Sequence, residues 1–300
     1  MKPIPQLCLC ACLLTAFTAA AQSNQLDTAK IEHIIGVKGA LNTNEGVFKV
    51  TSPRNDVKIT VDGWAMPPFM GLASWAAFTE QKAGDAMVMG DTVLFQDEVN
   101  PVMSVALDNG LAVTALHNHF FFDEPKVYFM HISGAGNAGK LATAVRKMWD
   151  KINEIRAANP QPATTFGLAA MPATNSISGA AIETILGAKG QANNGMFKVV
   201  IGRTTKMPCG CEMTKDMGVN TWTAFAGADD NALVDGDFAV LEEELQPVLK
   251  SLRHDGINIV AIHSHMTQEN PRILFLHYWG RGKVADLAKS LKAALATQNK

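Results

Sequence analysis

Apolar and polar positions alternate between two periods along this chain, and the same succession of periods is written twice. Ile31, Ile34 and Ile35 share one face of a short opening helix. Gly36, and Gly187 in the second copy, stand where such a helix stops, because glycine tolerates positive φ. Alternating apolar runs predict strands around Phe48–Val50, Trp75–Phe78 and Thr92–Phe95, and around Phe197–Ile201, Trp222–Phe225 and Phe238–Leu241. Helical spacing returns over Glu98–Asp108 and Glu244–His254. Pro101 and Pro247 fall in the first turn of those helices, where a missing N–H costs little. Two further strands follow in each copy, Ala112–His119 with Val127–His131 and Ile257–His265 with Ile273–His277. Closing helices cover Lys140–Ile155 and Val284–Leu295. Strands and helices mixed in this order predict an α+β fold, a tandem duplication of a unit whose mostly antiparallel sheet is covered by helices.

The duplication is explicit in the residues. Ile31-Glu-His-Ile-Ile-Gly-Val-Lys-Gly39 and Ile182-Glu-Thr-Ile-Leu-Gly-Ala-Lys-Gly190 share six of nine positions. Phe48-Lys49-Val50 matches Phe197-Lys198-Val199, and Gly90-Asp91 matches Gly236-Asp237. Glu98, Pro101, Val102 and Gly110 match Glu244, Pro247, Val248 and Gly256, at a constant offset of 146. Domain-sized units point to a tandem duplication rather than a solenoid. The expected boundaries are repeat 1 at 27–158, a Pro-containing linker at 159–175 and repeat 2 at 176–300.

Residues 1–21 resemble a secretory signal peptide: Lys2, a short apolar run from Leu7 to Ala20, and Ala19-Ala20-Ala21 before Gln22. The expectation is a periplasmic or secreted protein cleaved near Ala21. Leu9-Cys10-Ala11-Cys12 offers the rival reading of a lipidation box. No later stretch is long and charge-free enough for a membrane span of about 20 residues. The formal charge of −2 and pI near 6.4 argue against a nucleic-acid partner. Cleavage would leave Cys209 and Cys211 as the last cysteines. One intervening residue strains a disulfide between them, so a strained bridge, a free thiol pair and a soft-metal site stay open, with Met207 and Met213 nearby for copper.

The chemistry lies in the histidines. Six of the eight fall at matching positions, His117, His119 and His131 against His263, His265 and His277. Residues i and i+2 of a strand share a face, which groups the members of each His-x-His. The third histidine depends on register. A hairpin centred on Glu269 puts His277 opposite Ala261 and diagonal to His263 on the same face; a centre between two residues turns His277 away. Three imidazoles on one face suit a divalent metal, zinc or copper first, with a carboxylate or water completing the shell. Glu269 (Asp123 in copy 1) and Glu244 (Glu98) are the candidate carboxylates, as fourth ligand or general base. Tyr278, Trp279 and Arg281 are candidates for holding an anionic or sugar-like ligand. The bland alternative is a set of structural histidines bonding carbonyls. The His-x-His-x-x-x-Glu of copy 2 is also similar to the first cupin motif, but the intervening helices fit a cupin barrel poorly. Phe120, Phe121 and Phe122 crowd the approach in copy 1, which makes copy 2 the expected principal site. No nucleophile elbow, phosphate loop or dinucleotide fingerprint is present.

Asn220-Thr-Trp-Thr-Ala-Phe225, Ala261-Ile-His-Ser-His-Met266 and Pro271-Arg-Ile-Leu-Phe-Leu-His-Tyr-Trp-Gly280, set in a duplicated unit behind a leader, resemble the LppY/LpqO-type family of exported bacterial proteins. The resemblance implies export and duplication and assigns no chemistry to the histidines. The functional expectation is an exported metal-dependent hydrolase acting on a small or cell-wall-derived substrate. A non-enzymatic metal- or ligand-binding protein, or a partner-binding domain, are the alternatives.

Overall fold

The computed structural model describes residues 26–82 and 84–298; the expected leader lies outside them. Copy 1 runs α1 (Thr28–Ile35), β1 (Gly39–Asn42), β2 (Val47–Pro53), β3 (Thr60–Val61), β4 (Trp64–Ala65), β5 (Ala73–Lys82), β6 (Asp85–Phe95), α2 (Gln96–Asp108), β7 (Ala112–His117), β8 (Asp123–Glu124), β9 (Val127–Asn137) and α3 (Ala138–Ala158). Copy 2 repeats the order with α4 (Gly179–Leu186), β10 (Gly190–Asn193), β11 (Met196–Gly202), β12 (Thr205–Lys206), β13 (Glu212–Met213), β14 (Asn220–Ala228), β15 (Asn231–Leu241), α5 (Leu245–His254), β16 (Asn258–His263), β17 (Ile273–Gly282) and α6 (Val284–Ala296). Asp27 caps α1 by accepting from the Lys30 N–H at 2.9 Å, and Gly36 at φ +77 ends it.

The two copies do not build separate sheets. Twelve strands join in one antiparallel sheet, ordered β1-β2-β5-β6-β9-β7-β16-β17-β15-β14-β11-β10. The order reads the same from both ends, so a local twofold relation passes between β7 and β16. These central strands meet only at Leu116 and Ile262. Short pairing would leave backbone groups of the seam unpaired, and amide side chains from the opposite copy take them. Asn100 of α2 donates to the Ile259 carbonyl at 3.1 Å and accepts from its N–H at 2.7 Å. Gln246 of α5 does the same for Val113, at 2.8 and 2.9 Å. Each copy thus completes the other's central strand.

The helices cover one face. Strand residues pointing that way, such as Val88, Leu116, Met130, Ile132, Phe238, Val240, Ile262, Leu276 and Tyr278, form one continuous core with α1–α6. Among the described residues, the other face buries two small apolar clusters, Val93–Phe95–Phe129 with the β3–β4–β8 excursion and Ala239–Ile273–Phe275 beside the β12–β13 hairpin. Between these clusters lies the polar middle of the open face. The segment 159–175 crosses this side as irregular chain, with Phe166 stacked on Trp279 at 4.9 Å between ring centroids. Among the described residues no helix is long and apolar enough to cross a membrane.

Candidate metal centre

A β-bulge aims the site. At the start of β16, Ile259 pairs with Tyr278 and points into the helix-covered core. If that register continued, His263 would fall opposite Leu274 and be driven into the same core. Val260 instead bulges, and beyond it Ala261 pairs with His277, Ile262 with Leu276 and His263 with Phe275. Bulges re-aim side chains in this way. The pairing beyond the bulge is the one centred on Glu269, so His263 and His277 emerge together on the open face. Copy 1 repeats the device: Val113 pairs with Ile132, and after the shift Ala115 pairs with His131.

The strands β7 and β16 end at His117 and His263, two residues earlier than the alternation implied. His119 and His265 therefore sit in the loops rather than on strands. Their rings nevertheless return to the site, each stacked on a phenylalanine of the neighbouring strand, His119 on Phe129 and His265 on Phe275. Across β6, β9, β7, β16, β17 and β15, the residues Asp91, His131, His117, His263, His277 and Asp237 lie on neighbouring strands within one pleat of a common line.

In copy 2 the donors converge. Asp237 sits opposite His277, and its side chain is 2% exposed. Its Oδ2 lies 3.3 Å from His265 Nε2 and 3.8 Å from His263 Nε2, and the two Nε2 atoms are 3.2 Å apart. His277 stacks on His263 at 4.6 Å between centroids, with Nδ1 4.0 Å from Asp237 Oδ1. His265 Nδ1 donates to the Gly218 carbonyl at 3.2 Å. That bond places the proton on Nδ1 and leaves a lone pair on Nε2, as outer partners of metal-bound imidazoles do. The Nε2 of His265 therefore presents a lone pair to a carboxylate and to a second ring nitrogen. His263 Nδ1 and Asp237 Oδ1 are buried without a hydrogen bond. A cation seated among Asp237 Oδ2, His263 Nε2 and His265 Nε2 would relieve the opposition of these three facing atoms, while His263 Nδ1 and Asp237 Oδ1 stay outside it.

The spacing agrees. Donors about 2.0–2.1 Å from a tetrahedral centre are about 3.3–3.4 Å from one another, against the observed 3.2, 3.3 and 3.8 Å. Among the described residues, Asp237, His263 and His265 are the group of three or more such side chains that could hold a metal ion. Burial pushes the Asp237 carboxyl above its ordinary range, against the pull of His277 and His265. Burial, reinforced by His277 and His265, lowers His263 to about 4. The ring is neutral at pH 7, the form a metal requires.

Copy 1 holds the same residue types in a different arrangement. His131 Nε2 is 3.9 Å from Asp91 Oδ2. The rings of His117 and His119 lie nearly parallel, 13° apart at 5.1 Å, and His131 stacks on His117 at 5.1 Å. Stacked rings do not aim their nitrogens at one point. Phe120 meets His119 edge-on, while Phe121 and Phe122 turn out to solvent instead of filling the approach.

Several residues expected at the site serve elsewhere. Glu244 is buried at the head of α5, ion-paired with Arg203 and accepting from the Leu241 N–H at 2.9 Å. Glu98 holds Arg54 in the matching place at 2.7 Å. Glu269 braces the hairpin loop, accepting from the Ile273 N–H at 3.2 Å, as Asp123 does from Val127 at 2.6 Å. Tyr278 neighbours His277 on the strand and so points the opposite way; it is fully buried, its hydroxyl donating to the Trp222 carbonyl at 3.1 Å. Trp279 is stacked under Phe166, and Arg281 donates to the Ala169 carbonyl and to Asn231, so both hold down the linker. The carboxylate that meets the imidazoles is Asp237. Its signal was present: a Gly-Asp pair shared by both copies, set directly before a largely apolar run, Phe238–Leu241 in copy 2 and Thr92–Phe95 in copy 1.

The model of the family described as Domain of Unknown Function (DUF1259) matches residues 29–151 and again residues 180–297. The chain belongs to this family. The two matches make it a tandem pair of DUF1259 units, and each unit contains one complete His-x-His…His set and its Gly-Asp pair. No curated protein matches the chain. A solved structure, that of a trimeric bacterial microcompartment shell protein PduB, aligns over 86% of this chain and 89% of its own at 10% identity and a TM-score of 0.22, below the level of a shared fold.

Proposed function

We propose that this DUF1259 protein binds a divalent first-row transition metal, zinc or copper, through Asp237 Oδ2, His263 Nε2 and His265 Nε2, and uses it for hydrolysis. The observation that carries the reading is the convergence of a buried carboxylate oxygen and two imidazole Nε2 atoms within 3.2–3.8 Å. Two histidines and a carboxylate are a donor set that first-row metals accept. Three protein donors leave a fourth position, and a metal with such an open position is the catalytic rather than the structural type. His263 and His265 are each about one-third exposed, so water reaches that position. Bound zinc would bring the pKa of a coordinated water to about 7 and supply hydroxide at neutral pH. His277, beside Asp237 on the same face and stacked on His263, is the neighbouring imidazole available to exchange a proton with the site. Copy 2 is the principal site in this reading, and copy 1 is mainly its structural partner.

The substrate class, a small or cell-wall-derived molecule, and export through residues 1–21 belong to the same proposal, as does the finer resemblance to LppY/LpqO-type proteins. The test is titration of the purified protein with cobalt(II), whose visible bands report its coordination. One equivalent should bind with a low-coordinate spectrum, and His263→Ala with His265→Ala should abolish it. The zinc-loaded protein should then hydrolyse one of a panel of cell-wall fragments or activated esters, with the activity lost in Asp237→Ala. A spectrum of fully hydrated cobalt in the wild type would overturn the metal site; bound metal with no hydrolysis of any substrate would overturn the catalytic part.

A further inference from the structure

The β12–β13 hairpin ends in Met207-Pro-Cys-Gly-Cys211, a segment unrelated to the histidines in chemistry. Its turn is closed by Met207 N–H donating to the Cys211 carbonyl at 2.9 Å and Gly210 N–H to the Met207 carbonyl at 2.8 Å. Gly210 at φ +80 makes the reversal that other side chains resist. Both thiols are free and exposed. The Cys211 N–H donates to Cys209 Sγ at 3.4 Å. That contact turns the Cys209 sulfur toward Cys211. The Cys211 side chain, together with this N–H, holds the Cys209 thiol below the ordinary range, and the same pairing raises Cys211.

The hairpin is fixed to the body. Lys206 and Asn270 exchange backbone hydrogen bonds of 3.2 and 2.9 Å, and the Thr205 hydroxyl donates to the Pro271 carbonyl at 2.6 Å. Met213 is spent on the apolar cluster of Val219 and Phe275. The matching hairpin of copy 1, β3 with β4, turns on Asp62-Gly63 and has no sulfur.

We propose that Cys209 and Cys211 form a second metal site, a two-thiolate seat for a soft monovalent cation of the cuprous type. Thiolates select soft ions. Among the described residues, no third histidine, cysteine or carboxylate joins this pair in a metal-sized group. Two donors suit a monovalent ion that accepts two-coordination, whereas zinc takes four ligands. On binding, each thiol gives its proton to solvent and each sulfur forms one bond to the ion; no electron is transferred. The site stands independently of the Asp237 centre.

The experiment uses the chain from Gln22 onward, which leaves out Cys8, Cys10 and Cys12, reduced and handled without oxygen and titrated with cuprous ion against a chromogenic cuprous chelator. Wild type should withdraw one equivalent from the chelator. Cys209→Ser or Cys211→Ser alone should weaken binding at least about tenfold, since a thiolate donor is replaced by a hard hydroxyl. The double variant should withdraw none, while it keeps the wild-type circular dichroism and melting temperature, which shows that the fold is intact. A double variant that still takes the full equivalent would overturn the proposal, and so would a wild type that competes no better than the double variant.

Discussion

Replacing Asp237 by Asn separates a metal-ligand role from a structural one, because the two roles give opposite signs. Without metal, Asp237 is a buried carboxylate whose Oδ1 has no hydrogen bond and whose Oδ2 faces the lone pair of His265 Nε2 at 3.3 Å. An unsatisfied buried polar group costs about 1–3 kcal/mol. Asparagine removes the charge and offers an N–H to that lone pair. Asp237→Asn in chelator should therefore melt at or slightly above wild type. With metal the order reverses. A ligand at 100 times its dissociation constant stabilises the native state by about 2.7 kcal/mol. For a chain of this length that is about 5 °C in Tm, at about 2 °C per kcal/mol. Thermal melts of both proteins, in chelator and in zinc at 100 times the wild-type Kd, supply the four curves. Zinc should raise the wild type by about 5 °C and leave Asp237→Asn unmoved. A variant that melts several degrees below wild type in chelator, with no zinc effect on either protein, would refute the reasoning and make Asp237 a structural brace.

Three further outcomes follow from particular contacts. Metal content should fall mainly in His263→Ala with His265→Ala and hardly in His117→Ala with His119→Ala; a folded copy 1 variant that loses as much metal would contradict the inequality of the copies. His263 titrates near 4 in the fold against about 6.5 unfolded, so the unfolded state binds the extra proton between those values and metal-free stability falls as pH drops from 6.5 toward 4. The urea midpoint of His263→Gln should fall less steeply over that window, and an unchanged slope would remove His263 as a source. Asn100→Ala leaves the buried Ile259 N–H and carbonyl without their partner, so chemical denaturation should show a loss of about 2–4 kcal/mol; a loss under about 1 kcal/mol would mean that the central strands do not need the exchanged amides.

The fold class was legible because alternation and helical spacing were strong and stated twice. The pairing of His277 with Ala261 was legible too, as one of two registers. The hairpin uses both: the inner register near Ile259 and Tyr278, the Glu269-centred one nearer the turn, with Val260 bulged between them. A bulge leaves little trace in composition, since Val260 reads as one more apolar strand residue. The fusion of two sheets at Leu116 and Ile262 was hidden for a similar reason: both strands are apolar whether they lie inside a sheet or at its edge. Tyr278 is a different kind of miss. Its parity against His277 already placed it on the other face. Glu244 and Glu98, in the first turns of their helices, were open to a capping reading from position alone, but their arginine partners, Arg203 and Arg54, lie 41 and 44 residues away in sequence.

Anomalous diffraction at the zinc edge, from crystals of the protein grown with zinc, tests the central claim most directly. A single strong peak about 2.0–2.2 Å from Asp237 Oδ2, His263 Nε2 and His265 Nε2 is the predicted result. A zinc-saturated crystal with no peak among those three atoms, and the imidazoles instead bonded to backbone carbonyls, would contradict it.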